Sequence, residues 1–319
     1  MDKLSIVFMG TPDFAVPVLE QLYGDLFNIK AVVTQPDKQR GRGRKVSYSP
    51  VKEKALEYNI EVLQPEKMRD KNFIERLKEI KPDLFVVVAF RILPKSVLSI
   101  PKLGSINLHT SLLPDYRGAA PINHALFNGE KRSGVSVFFL NSGEIDSGEI
   151  IDQLEISIND DDNYGTLYNR MSVLGAIFLR ETIEKIVKGD YSTRPQTSCS
   201  KKLAPKIFNE DMIIDWSRSS VDIHNQIRGL SPKPSAYTYL KGKVFKIIKS
   251  ALVEGSSYSG DIGSLVELDK KKRKFYIKTG DGVLALLEVQ PSGKKVMDIG
   301  SFLNGTKISI GEILGEDNG

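Results

Sequence analysis

Residues 104–121 read GSINLHTSLLPDYRGAAP, a short apolar strand that runs directly into a polar loop punctuated by proline and glycine. Residues two apart in a strand project to the same face, so Asn107 and His109 are expected side by side, with Leu108 pointing into the core. Open α/β sheets bind their ligands at the carboxyl ends of strands. An amide donor beside an imidazole at such an end indicates a reaction centre, although two satisfied polar groups at a strand end would give the same spacing.

Strand-like and helix-like patterns alternate on the amino-terminal side of this stretch. Compact apolar runs at residues 4–8, 29–34 and 83–89 are typical of buried strands, and apolar residues at helical spacing lie between them. This order predicts a parallel sheet with right-handed crossover connections. We therefore expect an α/β fold with a Rossmann-like, mostly parallel sheet in the amino-terminal part. Gly10 is the only glycine in the first turn, which argues against a dinucleotide-binding fingerprint.

The chain changes character after its longest helical pattern, residues 164–188. Residues 189–207 are polar and contain proline, as expected of a linker. Beyond them, short β-rich segments recur at close spacing, which predicts a small β-barrel of the oligonucleotide-binding (OB) type. The predicted domains are therefore residues 1–188 and a carboxy-terminal barrel at residues 208–319, joined by the linker.

A strongly basic loop follows the second apolar run. It carries five positive charges within eight residues, spaced by Gly41 and Gly43, and so cannot pack as a core element. One interpretation is a flexible, solvated loop. Its place after a parallel strand favours another, an arm that grips phosphate and becomes ordered on binding. The charged residues are Lys38, Arg40, Arg42, Arg44 and Lys45.

Composition narrows the class of protein. The chain has 319 residues, of which 40% are hydrophobic and 27% charged, as in ordinary soluble globular proteins. The net charge of +5 arises entirely after residue 200, where 19 Lys and Arg face 14 Asp and Glu. Such a bias favours a polyanionic partner.

The small numbers of cysteine and histidine residues and the shortness of the apolar runs argue against disulfide-bonded, zinc-binding and membrane-spanning proteins. Cys199 is the single cysteine, which excludes an internal disulfide, and the three histidines lack metal-ligand spacing, which argues against zinc. Apolar runs stay short of the ~18 residues that span a bilayer, and the first residues do not resemble a signal peptide. We therefore expect a cytoplasmic protein without membrane contact.

Several motifs together resemble one known family. INLHTSLLPDYRGAAPINHALFNGE, GTPDFAVPVLEQL, TQPDKQRGRGRK with SPVK, and IDSGE are similar to segments of the folate-dependent formyltransferases, and IDW with IRGLSPKPSAYT extends the resemblance into the last third. The SLLP loop is shared across that family, whereas the carboxy-terminal barrel favours members that act on tRNA. The resemblance implies transfer of a formyl group from 10-formyltetrahydrofolate to the α-amino group of methionyl-initiator tRNA, for translation initiation. It implies no metal, and we expect a monomer.

The resemblance also implies roles for individual residues. Asn107, His109 and Asp146 fall on the family's catalytic positions, and Asp146 lies in a glycine-rich loop. An amine that attacks a formyl carbon builds a tetrahedral oxyanion, to which Asn107 and His109 are suited to donate hydrogen bonds, and Asp146 is expected to hold His109 in the required tautomer. The implied folate-binding residues are Ser111, Leu112, Leu113, Pro114, Phe90, Arg91, Ile92 and Leu93. The implied tRNA-binding residues are Lys38, Arg40, Arg42, Arg44, Lys45 and Lys206.

Two other hypotheses stay open at this point. A formyltransferase or formyl-folate hydrolase acting on a small amine would share the catalytic residues but would leave the basic loop and the barrel unexplained. A non-catalytic RNA-binding protein would explain the basic loop but not the Asn-x-His pair.

Overall fold

The structure is a computed structural model that describes residues 3–40, 45–141, 143–196, 202–255 and 258–315. The strands are β1 Leu4–Gly10, β2 Phe27–Val33, β3 Lys38–Arg40, β4 Lys45–Ser47, β5 Val62–Leu63, β6 Leu84–Val88, β7 Ser105–His109, β8 Arg117–Gly118, β9 Arg132–Phe139, β10 Ile150–Ser157, β11 Leu203–Ala204, β12 Ala236–Leu240, β13 Lys243–Leu252, β14 Leu265–Asp269, β15 Lys274–Lys278, β16 Val283–Pro291 and β17 Met297–Asp298. The helices are α1 Val16–Leu22, α2 Pro50–Glu57, α3 Lys71–Ile80, α4 Lys95–Leu98, α5 Pro121–Phe127, α6 Tyr164–Lys188, α7 Ser220–Leu230 and α8 Ile299–Gly305.

These elements form two compact units whose segments alternate along the chain. The first unit contains the chain up to Gly118, Arg132–Ser157 and Tyr168–Leu203. The second contains Ala119–Lys131, Ile158–Leu167 and the chain from Ala204 onward. The predicted contiguous domains, residues 1–188 and 208–319 with a linker between them, stay a prediction.

The first unit is built on a seven-stranded sheet with the order β10-β9-β7-β6-β1-β2-β5. The five strands β1, β2, β5, β6 and β7 run parallel to one another, while β9 runs antiparallel to both β7 and β10. The predicted α/β fold with a mostly parallel sheet is therefore confirmed. In β1 and β6 almost every residue is buried, as expected of central parallel strands covered on both faces.

Local signals in the sequence explain where the helices of this sheet begin. The side chain of Ser49 accepts a hydrogen bond from Lys52 N at 3.1 Å and Pro50 occupies the first turn, which together start α2. Asp70 caps α3 in the same way through Phe73 N at 3.0 Å. The buried residues Phe73 and Leu77 then fix the packed face of α3.

The second unit contains an antiparallel sheet with the order β12-β13-β16-β15-β14, with β17 paired to β16. Two isolated bridges, Leu240 with Leu314 and Ser264 with Ile313, place residues 313–314 between the edge strands β12 and β14. This closes the sheet into a barrel-like domain, as the sequence predicted. Helix α7 begins at the cap Ser219 and buries Ile223, Ile227 and Leu230 in the core of this unit.

Candidate active site

The strand β7 places Asn107 and His109 at the carboxyl end of the parallel sheet, as predicted. It lies between β6, which pairs with it in parallel, and the antiparallel β9, so that Asn107 is opposite Phe138 and His109 is opposite Ser136. Asn107 is half-buried, whereas only 7% of His109 is exposed. The two polar side chains therefore share one face of the sheet, and Leu108 packs on the other side.

Both nitrogens of the His109 ring face oxygen atoms that can only accept hydrogen bonds. Nε2 lies 2.9 Å from the carbonyl oxygen of Tyr116, and Nδ1 lies 3.7 Å from Oδ2 of Asp146. Because a carbonyl accepts only, Nε2 carries a hydrogen and donates it to Tyr116. The Tyr116 carbonyl thus orients the ring from the Nε2 side, and the predicted role of Asp146 in holding the tautomer of His109 stays a prediction.

Hydrogen bonds between side chains and backbone groups of the first unit fix the loop that carries Asp146. Oδ2 of Asp146 accepts a hydrogen bond from Gly118 N at 3.0 Å, and its backbone adopts a left-handed φ of 54°. The side chain of Gln196 donates to the carbonyl oxygens of Asp146 at 2.9 Å and Gly148 at 2.7 Å. A Cβ at Gly148 would lie 1.6 Å from the Phe139 carbonyl oxygen, so glycine is required for this close approach. The carboxylate is therefore held toward Nδ1 of His109 by a rigid frame.

The predicted folate-binding loop, Ser111 to Pro114, follows β7 directly. Ser111 is fully buried, and its hydroxyl donates to the Asp115 carbonyl oxygen at 2.6 Å. Leu113 packs against Phe138 and Ile150 in a small apolar cluster. The peptide bond between Leu113 and Pro114 is cis.

The second predicted folate segment, Phe90 to Leu93, follows the neighbouring strand β6 and so leaves the same edge of the sheet. Arg91 donates hydrogen bonds to the carbonyl oxygens of Pro65 at 2.7 Å and Glu66 at 3.0 Å, and burial lowers the pKa of its guanidinium. Ile92 exposes 76% of its surface, whereas Leu93 is buried in the core. Arg91 thus holds the segment in place while Ile92 remains accessible.

The predicted tRNA-binding residues fall in different places. The strands β3 and β4 pair as an antiparallel hairpin, so the basic loop that was predicted to be unstructured has a hairpin base, whose backbone includes Lys38, Arg40 and Lys45. Arg42 and Arg44 lie outside the described residues. Lys206 belongs to the second unit, where its Nζ lies 5.5 Å from the centre of the Phe208 ring.

Sequence analysis missed several residues around the site. Tyr116 contacts His109 through its carbonyl oxygen, which no side-chain pattern could indicate, and Gln196 lies in a segment that was predicted to be a linker. Within the described parts of the chain, no cluster of three His, Cys, Asp or Glu residues could hold a metal ion. No helix among the same residues is both long and apolar enough to cross a membrane.

Comparison with known proteins gives a consistent result. The chain matches the family model described as formyl transferase over residues 3–183, and the model described as formyl transferase, C-terminal domain, over residues 206–307. The methionyl-tRNA formyltransferase of Thermodesulfovibrio yellowstonii is 46% identical over 307 residues, which cover 96% of this chain and 97% of the relative. The methionyl-tRNA formyltransferase of Clostridioides difficile is 44% identical over 314 residues, which cover 98% of this chain and all of the relative.

A solved structure shows the same architecture. The N-formyltransferase from Helicobacter canadensis, in complex with folinic acid and dTDP-3-aminofucose, superposes with a TM-score of 0.67 at 25% sequence identity. The match covers 90% of this chain and 99% of that one.

Proposed function

The chain belongs to the methionyl-tRNA formyltransferase family, and from this premise we propose that Asn107, His109 and Asp146 carry its reaction. It transfers a formyl group to the amino group of methionyl-tRNA, the reaction that precedes translation initiation. The observation that carries the assignment of the site is the shared face of Asn107 and His109, with the Asp146 carboxylate 3.7 Å from Nδ1.

We propose 10-formyltetrahydrofolate as the formyl donor. The side chains that follow β6 and β7 suit a flat, mostly apolar ring, because the accessible Ile92 and the half-buried Phe90 and Leu112 leave the same edge of the sheet. The folinic acid in the Helicobacter canadensis structure supports a folate as the ligand of this fold. When bound, the donor supplies a formyl group on a nitrogen that can leave.

The side chains of the site have separate tasks in this reaction. The amide of Asn107 donates a hydrogen bond to the formyl oxygen as negative charge develops on it during attack by the amine. Nε2 of His109 is held by Tyr116, so Nδ1 is the ring nitrogen that exchanges a proton with the reacting amine. Asp146, facing Nδ1, stabilises the ring while it carries the extra proton. The same proton then goes to the leaving nitrogen, which balances the transfer.

We further propose that one end of the barrel in the second unit binds the tRNA backbone. The turns β12–β13, β14–β15 and β16–β17 all lie at the same end of the sheet, because neighbouring strands run in opposite directions. These turns carry exposed lysines, namely Lys241, Lys243, Lys270, Lys271, Lys272, Lys294 and Lys295. Two connections at the opposite end, residues 253–264 and 279–282, contain no lysine or arginine but include Glu254, Asp261 and Asp281, and residues 231–235, which lead into β12 at that end, carry the single lysine Lys233.

This separation of charge supports a phosphate-binding end. Asp269 accepts a hydrogen bond from Lys272 N at 2.9 Å within the β14–β15 turn, and this bond, together with the charges of Lys272 and Lys274, lowers the pKa of its carboxyl. Of the lysines in these turns, Lys241 has a carboxylate neighbour, Glu312, at 3.6 Å. A cluster of lysines at the tips of turns can follow a sugar-phosphate backbone without reading its sequence.

Formylation assays with the purified chain test the proposed function. We expect rapid transfer from 10-formyltetrahydrofolate to methionyl-tRNA, and little transfer to a dTDP-linked amino sugar or to free methionine. The His109→Ala variant serves as the control for chemistry at this site and should be folded but nearly inactive. Efficient transfer to the amino sugar with none to methionyl-tRNA would contradict the proposal in favour of a small-molecule enzyme. Binding of tRNA without any transfer would favour a non-catalytic RNA-binding protein.

A further inference from the structure

The hydroxyl group of Ser136 makes three hydrogen bonds beside the proposed active site. Ser136 lies in β9 directly opposite His109 and is completely buried. Its Oγ donates to the Ser111 carbonyl oxygen at 2.6 Å and accepts from Leu113 N at 3.0 Å. It also accepts from Nε2 of Gln153 at 2.7 Å. A hydroxyl has one hydrogen and two lone pairs, so its bonding capacity is filled.

Gln153 completes this network from the next strand. It lies in β10 directly opposite Ser136, so His109, Ser136 and Gln153 form one row across three adjacent strands. Side chains directly opposite each other in antiparallel strands share a face, which places this row on the face of the catalytic pair. The second hydrogen of Nε2 goes to the Leu113 carbonyl oxygen at 2.9 Å, and Oε1 accepts from Nη2 of Arg194.

From this network we propose that Ser136 and Gln153 are positioning residues that set the backbone of the loop from Ser111 to Pro114 for the formyl donor. The inference rests on the proposed function, in which this loop binds a folate. Ser136 binds the N–H of Leu113 and the carbonyl of Ser111, and Gln153 binds the carbonyl of Leu113. Within the described residues, these two side chains are the hydrogen-bond partners of the three backbone groups. Loss of either side chain leaves buried backbone groups unpaired, and the loop must move to satisfy them.

The same strand supplies a matched control. Ser133 also lies in β9 and is only 5% exposed, yet its Oγ has no hydrogen-bond partner within the described residues. A buried serine hydroxyl in this strand is therefore compatible with the fold without any bond. The hydrogen bonds of the Ser136 hydroxyl go to the backbone of the loop from Ser111 to Pro114 and to Gln153. Comparing Ser136 with Ser133 therefore distinguishes a role in positioning the loop from a general role in packing the strand.

The test measures steady-state kinetics for 10-formyltetrahydrofolate and methionyl-tRNA in Ser136→Ala, Ser136→Thr, Gln153→Glu and Ser133→Ala, with thermal unfolding recorded for each. Gln153→Glu keeps the shape and the acceptor toward Arg194 but replaces the donor toward Ser136 and Leu113. We expect the KM for the folate to rise about 10- to 100-fold in Ser136→Ala and Gln153→Glu, with the KM for tRNA nearly unchanged. Ser136→Thr should restore most of the affinity, and Ser133→Ala should behave as the wild type.

Two results would overturn the inference. One is a KM for the folate near the wild-type value in Gln153→Glu. This variant also tests the inference on its own if Ser136→Ala fails to fold. The other is an equal rise of both KM values, which would indicate general loosening of the sheet. If the wild-type chain does not formylate methionyl-tRNA at all, the proposed function fails instead, and direct binding of 5-formyltetrahydrofolate to the four variants still tests the loop.

Discussion

The amide of Asn107 is a neutral donor, half-buried next to an almost fully buried imidazole. A neutral donor suits an oxygen that is uncharged in the bound substrate and becomes negative only as the amine attacks. Its hydrogen bond therefore strengthens on the way to the transition state and contributes to rate more than to binding.

Asn107→Ala should lower kcat by about 100- to 1,000-fold, the usual effect of removing one oxyanion donor, with both KM values nearly unchanged. The matched control is Asn28→Ala, which removes a half-buried asparagine from β2 of the same sheet. Single-turnover formylation of methionyl-tRNA measures the chemical step directly. A kcat within a few-fold of the wild type would remove Asn107 from the mechanism.

Residue-level prediction worked where the chemistry lies on one strand. The period of two along β7 was sufficient to place Asn107 and His109 together, and a parallel strand order placed them at the ligand-binding edge. The carbonyl of Tyr116 and the side chain of Gln196 could not be found in this way, because both reach the site through loop conformations. Such contacts depend on tertiary structure and leave no periodic pattern in the sequence.

At the scale of elements, the β3–β4 hairpin is anchored by polar contacts immediately outside its strands. Nζ of Lys52 binds Oδ2 of Asp37 at 2.6 Å and Oε1 of Gln64 at 2.8 Å. Nε2 of Gln64 donates in turn to Oδ1 of Asp37 at 2.8 Å and to the Gln35 carbonyl oxygen at 2.8 Å. Hydrogen bonds from Lys52 and then Gln64 lower the pKa of the Asp37 carboxyl. The basic loop therefore leaves the sheet in a fixed direction.

Asp37→Ala should raise the KM for tRNA by about 10-fold and leave the KM for the folate unchanged, because it releases the base of the basic loop. Asp25→Ala is the control, since it removes an exposed aspartate that pairs with Lys3 at 3.4 Å. The two KM values come from initial-rate formylation with one substrate saturating. Loss of folate affinity in Asp37→Ala would instead assign these contacts to the folate cleft.

The strands β1 and β6 are joined at their amino-terminal ends by Asp83. Its Oδ2 accepts hydrogen bonds from Ser5 N at 2.9 Å and Ser5 Oγ at 2.7 Å, and Lys102 binds its other oxygen at 2.9 Å. The Ser5 backbone N–H, followed by the Ser5 hydroxyl and Lys102, lowers the pKa of the Asp83 carboxyl below its ordinary value of 3.8. A lowered pKa means that the carboxylate stabilises the fold above about pH 4, and that this contribution is lost as the pH falls through the folded pKa.

Asp83→Asn should lower the free energy of unfolding by about 2 kcal/mol at pH 7. The amide makes weaker hydrogen bonds to Ser5 than the carboxylate does, and it cannot form an ion pair with Lys102. The difference from the wild type should shrink as the pH falls from about 4 through the lowered pKa of the folded state, where the wild-type carboxyl also becomes neutral. Denaturant unfolding at pH 7 and pH 3 measures both values, with the exposed Glu75→Gln as control. A difference that is independent of pH would exclude the charge of Asp83 as its source.

Some elements were harder to foresee. The strand β10 was not predicted, and its register with β9 shifts between Ile150 and Asp152. Such a shift interrupts the alternation of buried and exposed residues on which strand prediction depends. The central strands have no such interruption, and their continuous apolar runs identified them.

At the scale of the whole molecule, the proposed basic end of the barrel predicts a strong salt dependence. Replacing Lys270, Lys271 and Lys272 by glutamine should weaken tRNA binding and reduce the log–log slope of affinity against salt by ~0.7 to ~0.9 for each phosphate that the variant no longer binds. The control replaces the exposed Lys67, Lys71 and Lys78 of the first unit by glutamine. Binding of tRNA at several salt concentrations gives the slopes. An unchanged slope in the first variant would exclude this end of the barrel as a phosphate-binding surface.

The sequence correctly indicated a mostly parallel sheet followed by a barrel, because each has its own periodicity. It did not indicate that Ala119–Lys131 and Ile158–Leu167 join the second unit. These segments carry ordinary helical and turn patterns, and only packing reveals their partner. Asn123 of α5, for example, donates to the Gly229 carbonyl oxygen of α7 at 2.7 Å.

That alternation of segments limits how such a protein can be rearranged by recombination between genes. The barrel strands follow one another along the chain, yet the second unit also contains α5. Helices α5 and α7 pack closely, because a Cβ added at Gly229 of α7 would lie 2.5 Å from the Phe127 ring of α5. A single crossover near residue 204 would transfer the barrel without α5 and leave the packed faces of both helices uncovered. The second unit therefore cannot be transferred as one continuous segment of the gene, and we expect the two units to be inherited together.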